Sequence, residues 1–189
     1  VRLVGSEMCI RDSVGGSLSA IDILNVLYFN ELRIDPNNPK MENRDRFILS
    51  KGHIAEALYV TLAKRGFFAY SELDNFSGYN TKYIAHPNNK VAGVEMNTGA
   101  LGHGLAIGVG LAIAAKKMGQ DYRTYVLMGD GELAEGSIWE SAMAAGHYKL
   151  DNLCAIVDRN HLQISGCTET VMTLEDLKGK WQMFGFEVI

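Results

Sequence analysis

Two apolar runs, "TYVLMGD" and "NLCAIVDRN", joined by the amphipathic segment "AEGSIWESAMAAGHY", limit the fold more than any other feature. Short apolar runs closed by Gly, Asp or Asn read as buried strands, whereas the segment between them has helical period. Strand, helix, strand in that order implies two parallel strands joined by a right-handed crossover. Downstream, "TLEDLKGKWQMFG" reads as a further helix and "FEVI" as the opening of a third strand. The expected fold class is therefore α/β, a doubly wound parallel sheet flanked by helices.

Upstream of this series the pattern is mostly helical. "GGSLSAIDILNVLYFNEL" has apolar residues near helical spacing, with Ser17 or Ser19 available as a cap. "RIDPNNPKMENRDR" is a surface loop and "FILS" a short apolar run. "HIAEALYVTLAKRG" is an amphipathic helix closed by Gly66, and Ser71 to Asp74 resembles a capping box. A polar loop covers Asn75 to Asn89, after which "TGALGHGLAIGVGLAIAAKKMG" reads as one tightly packed helix stopping at Gly119. Its glycines have the spacing G-x-G-x-x-x-G and no convincing strand before them, so close packing explains them better than a dinucleotide fingerprint.

The bulk numbers remove several classes of partner. At 189 residues and 47% apolar, the chain has the size and core of about one domain. A net charge of -4 with no basic cluster argues against nucleic acid and acidic membrane surfaces, and no apolar stretch is long enough for a membrane span. Cys9, Cys154 and Cys167 are odd in number and lack metal-like spacing, which fits idle thiols in a reducing, cytoplasmic setting. "VRLVGSEMCIRDS", residues 1–13, lacks clean periodicity and is expected to be a non-native or disordered leader. The domain is expected over residues 14–189, incomplete at its C-terminus.

Asp130 and Asn160 end neighbouring strands, with 28 residues between Gly131 and Asn160, so they can meet at one edge of the sheet. Open α/β sheets bind ligands beyond that carboxyl edge. Gly129 and Gly131 permit close backbone approach, and the helix that follows offers free N–H groups to an anion. One carboxylate, one amide oxygen and a helix N-terminus suit Mg²⁺, which binds oxygen ligands and keeps water and substrate phosphates. The pair therefore reads as a Mg²⁺-diphosphate site.

"GDGELAEG" followed at this spacing by "DRNHLQI" resembles the thiamine diphosphate motif in the form used by transketolases. The resemblance runs from Val14 to Ile189 and includes "GGSLSA", "DRFILSKGHIAEALY", "HP", "GVEMNTGALGHGLAIGVG" and "AAGHYKLDNL". It implies that Asp130, Asn160 and the Leu162 carbonyl bind Mg²⁺, and that Gly131 gives an N–H to the diphosphate. His53 matches a histidine beside the cofactor and His86 one facing substrate. Gly99 and Leu101 match residues lining the aminopyrimidine ring. Glu135 matches an acid that holds, across a dimer interface, the carboxylate acting on that ring. By contrast, His103, His147 and His161 read as packing or loop residues, and Trp139 and Trp181 as core.

The implied activity is transfer of a two-carbon ketol unit between sugar phosphates, with thiamine diphosphate and Mg²⁺ as cofactors. The implied partners are a second copy of the chain or a separately encoded C-terminal subunit. The resemblance breaks where the family carries Gly-His before "VGGS", because Asp12 and Ser13 stand there. The resemblance also implies a second thiamine-binding domain and a C-terminal domain, which are expected outside these 189 residues. Rival expectations are a deoxyxylulose-phosphate synthase, a 2-oxo acid dehydrogenase subunit, a thiamine-fold subunit without catalysis of its own and, more remotely, a nicotinamide-binding module.

Overall fold

The structure, a computed structural model, describes the backbone from Val4 and the side chains from Val14. The expected leader over residues 1–13, and the Asp12 and Ser13 side chains, accordingly lie outside the described side chains. The chain divides into two compact units, Val1–Arg44 with Gly52–Gly99, and Asp45–Lys51 with Ala100–Ile189.

In the first unit, helix α1 (Val4–Val26) runs into a π-helical turn, Leu27–Glu31, closed by Leu32 N–H donating to Leu27 O at 2.8 Å. Helix α2 (Ala55–Arg65) packs against α1 and stops at Gly66, whose φ of +99° is the left-handed cap expected there. Leu24 of α1 and Leu58, Tyr59 and Leu62 of α2 are buried. Ser17 and Ser19 lie inside α1 and cannot cap its start. The Ser17 hydroxyl instead donates to Glu56 Oε1 of α2 at 2.7 Å. The expected capping box at Ser71 is also corrected. A 3-10 turn spans Tyr70–Asn75, its cap is Ala69, and no side chain bonds that cap. Within this turn Glu72 accepts from the Tyr83 hydroxyl at 2.7 Å and meets Lys82 Nζ at 3.2 Å. Tyr59 anchors this region, with ring centroids 5.6 Å from Tyr83 and 6.2 Å from Phe76.

In the second unit, strands β1 (Arg46–Leu49), β2 (Thr124–Gly129) and β3 (Leu153–Asp158) form one parallel sheet in the order β1-β2-β3. Register pairs Leu49 with Leu127 and Gly129 with Asp158, so three strand ends share one edge. β2 is central, and Val126, Leu127 and Met128 are fully buried, as a parallel strand covered on both faces requires. Helix α3 (Gly104–Met118) packs against all three strands and against α4 (Gly136–His147). A Cβ on Gly108 would stand 2.4 Å from Val126 Cγ2, so small residues in α3 set its closeness to the sheet. β4 (Leu162–Gln163) and β5 (Gly166–Cys167) form a short hairpin, followed by α5 (Thr168–Val171) and α6 (Leu177–Met183). Trp181 of α6 joins the main core with Leu105, Val126, Met128 and Ile138.

The third strand differs from expectation. "FEVI" makes no ladder; the partner of β2 on its other side is "RFIL". A strand exists only where backbone groups pair, and Phe186 and Val188 contribute apolar contacts to the core without pairing. The helix expected from Thr98 begins at Gly104, because Gly99 and Gly102 have φ of +144° and +84°. The helix expected from Thr173 begins at Leu177, capped by the Asp176 side chain. Among the described residues, no helix is long and apolar enough to cross a membrane.

Candidate functional site

In the second unit β2 and β3 deliver Asp130 and Asn160 to the same edge. Asp130 follows β2 directly, is 1% exposed, and accepts from Gly131 N–H at 2.9 Å and His161 N–H at 2.8 Å. The second of these bonds ties the Gly-Asp-Gly turn to the loop carrying Asn160. Asn160 Oδ1 accepts from Leu162 N–H at 2.9 Å and keeps a second lone pair. A Cβ on Gly131 would lie 2.9 Å from Gln163 Cβ, so glycine there lets the hairpin close over the turn. Asp130, Gly131, Asn160 and Leu162 are thus neighbours.

Buried charge distinguishes this edge. Lys51 Nζ donates to Asp158 Oδ2 at 2.6 Å, with the two side chains 2% and 7% exposed. Glu132 is also buried, and accepts from Ser50 Oγ, Gly102 N–H at 2.8 Å and Gly129 N–H at 3.2 Å. Burial pushes its carboxyl above the usual range, while those three hydrogen bonds oppose the shift. Three buried carboxyl groups, those of Asp130, Glu132 and Asp158, thus share this edge with one buried ammonium. No side-chain cation pairs with Asp130 among the described contacts. No three His, Cys, Asp or Glu cluster to hold a metal among the described residues. A cation here would draw on Asp130, the Asn160 amide, peptide carbonyls and external oxygens, a hard donor set that fits Mg²⁺ with a diphosphate.

Leu101 and Glu135 belong to the same unit. A Cβ on Gly102 would stand 2.6 Å from Glu135 Cβ, which places the Leu101–Gly102 turn against Glu135. Glu135 is exposed and occupies the N-cap position of α4 without bonding it through its side chain.

His53, His86 and Gly99 fall in the first unit, where the structure also brings them together. A Cβ on Gly99 would lie 2.7 Å from the His86 ring, and one on Gly52 would lie 2.8 Å from Gly99 N. His86 is held from behind by the buried Tyr59, whose hydroxyl donates to the His86 carbonyl at 2.8 Å. His53 and His86 are both exposed.

Glu132, Ser50, Lys51 and Asp158 were not singled out from the sequence. The available signal was modest: each is a polar residue at or just past the end of an apolar run, where a parallel sheet gathers its chemistry.

Residues 12–189 match the family model described as transketolase, thiamine diphosphate binding domain. An apulose-4-phosphate transketolase subunit of Phocaeicola vulgatus is 54% identical over 176 residues, covering 93% of this chain and 63% of the relative. Human transketolase is 40% identical, over 90% of this chain and 28% of its own length. The solved transketolase of Leishmania mexicana superposes with a TM-score of 0.86 at 32% identity, over 96% of this chain and 31% of that one. The chain spans under two thirds of the length of these proteins. It belongs to the transketolase family, as a thiamine diphosphate binding domain.

Proposed function

We propose that this chain is the diphosphate-binding part of an enzyme that moves a two-carbon ketol unit between sugar phosphates, completed by a separately encoded C-terminal polypeptide. The Phocaeicola relative is itself named as one subunit of its transketolase, which supports the second half of that reading. Bound thiamine diphosphate supplies the electron sink for breaking and making the carbon–carbon bond. The work of this chain is to hold and orient it. Asp130, the Asn160 amide oxygen and the Leu162 carbonyl would hold Mg²⁺, and with it the diphosphate. Gly131 N–H, which here donates to Asp130, would be the backbone donor for the diphosphate. Gly99 and Leu101 line the aminopyrimidine.

His53 stands beside the cofactor and His86 faces the reacting sugar, where an imidazole can relay a proton. Glu135 stands exposed at the head of α4, where a carboxylate from a second chain can meet it in a homo-oligomer. Cys154 and Cys167 are free thiols, which fits a cytoplasmic setting.

The observation that carries the reading is Asp130: a buried carboxylate at a strand end, held among the described residues by backbone N–H groups, beside an amide oxygen. Thiamine diphosphate with Mg²⁺, titrated into the chain together with its partner polypeptide, should bind saturably, and Asp130→Ala should abolish binding. Equal binding by that variant would overturn the metal assignment.

A further inference from the structure

Glu132 makes no contact assigned to cofactor or substrate, yet it is 3% exposed and accepts three hydrogen bonds from three separate segments. Ser50 follows β1, Gly129 ends β2, and Gly102 lies in the turn before α3. Two of these donors sit one residue from positions the site depends on, Gly129 beside Asp130 and Gly102 beside Leu101. We propose that Glu132 is a positioning residue that fixes the Asp130 turn and the Leu101 turn in one arrangement, so that both meet the same ligand. This rests on the assignment of Asp130 and Leu101 to the cofactor.

The geometry leaves little slack. A Cβ on Gly104 would collide with the Ser50 side chain, so the start of α3 lies close against the residue whose hydroxyl Glu132 accepts. A Cβ on Gly102 would likewise stand 2.6 Å from Glu135 Cβ. With neighbours packed that tightly, a carboxylate that binds all three donors selects a single placement of the two turns. Glutamine has the same size but turns one acceptor into an N–H donor, so it cannot accept from all three.

The experiment uses the chain assembled with its partner polypeptide. It compares wild type, Glu132→Gln, Ser50→Ala and Asp130→Ala by the Mg²⁺ concentration giving half-saturation of thiamine diphosphate binding. The unfolding temperature without ligand and the KM for ketose phosphate at saturating Mg²⁺ are measured alongside. Glu132→Gln should raise the Mg²⁺ midpoint about ten- to a hundredfold, the usual cost of disturbing groups that orient a metal's ligands. The ketose phosphate KM should stay at the wild-type value. Ser50→Ala removes one donor of three and should raise the midpoint about three- to tenfold. It decides the matter if Glu132→Gln does not fold. An unchanged Mg²⁺ midpoint in a folded variant, or a lowered unfolding temperature with unchanged midpoint, overturns the positioning role. If Asp130→Ala abolishes binding while Glu132→Gln and Ser50→Ala match wild type, only this proposal fails. If Asp130→Ala also binds normally, the metal-site reading fails and takes this one with it.

Discussion

Two lysine–carboxylate pairs in this chain have similar chemistry and different weight. Lys82 and Glu72, in the first unit, meet at 3.2 Å with side chains 40% and 41% exposed. Lys51 and Asp158, in the second, meet at 2.6 Å with side chains almost fully buried. Water screens the first pair, so its formation changes stability little. The second pair has no water to fall back on, and each partner depends on the other. Burial, rather than the pair itself, decides which of the two the fold cannot lose.

The largest expected effect follows from breaking the buried pair on one side only. Lys51→Met should destabilise the protein by about 3–5 kcal/mol, because Asp158 is left charged in the interior. Chemical denaturation reads this directly. Adding Asp158→Leu to the same chain should recover much of that loss, since an apolar pair of similar volume tolerates burial. Failure of the double variant to recover would mean that Asp158 is held mainly by its other contacts.

Ligand linkage comes next. Thiamine diphosphate with Mg²⁺ at about 100 times its dissociation constant should stabilise the assembled protein by about 2.7 kcal/mol. The gain should vanish on chelation and in Asp130→Ala, and differential scanning calorimetry with and without EDTA tests both arms. A smaller effect is expected at Tyr59→Phe, which removes the hydroxyl donating to the His86 carbonyl and leaves that carbonyl unpartnered by it. About 1 kcal/mol is expected, with the backbone amides of the His86 loop exchanging faster with solvent.

The exposed pair sets the lower bound. Hydrogen bonding from Tyr83, then from Lys82, holds the Glu72 carboxyl below its usual value of 4.5. A depressed folded-state pKa adds stability above the unfolded value and loses it as pH falls through the folded one. Glu72→Gln should therefore cost about 0.3 kcal/mol at neutral pH, and the difference from wild type should close as the solution is acidified below the ordinary carboxylate range. A gap that persisted at low pH would assign the effect to packing.

Much of this was legible in the sequence because it is local. β2 and β3 announced themselves as apolar runs, and the left-handed caps at Gly66 and Gly119 followed from glycine after a helical period. The Asp130–Asn160 pairing needed only one crossover to be inferred. What stayed hidden was set by partners far away in sequence. "RFIL" and "FEVI" are equally short and apolar, and only the completed sheet shows that the first pairs with β2. Nothing local marks Glu132, since its donors come from residues as distant as Ser50 and Gly102. Backbone conformation misled in the same way, because Gly99 and Gly102 keep an otherwise helix-like segment out of α3 until Gly104.

β3 closes one side of the sheet, with β2 as its sole ladder partner among the described residues. In a parallel ladder, successive peptide groups of an edge strand turn alternately toward the neighbour and away from it. Leu153–Asp158 should therefore show a two-residue rhythm in deuterium uptake: slow where the amide faces β2, fast where it faces outward. That rhythm is an internal gauge of assembly. A polypeptide that docks along this strand should slow the fast positions and flatten the rhythm.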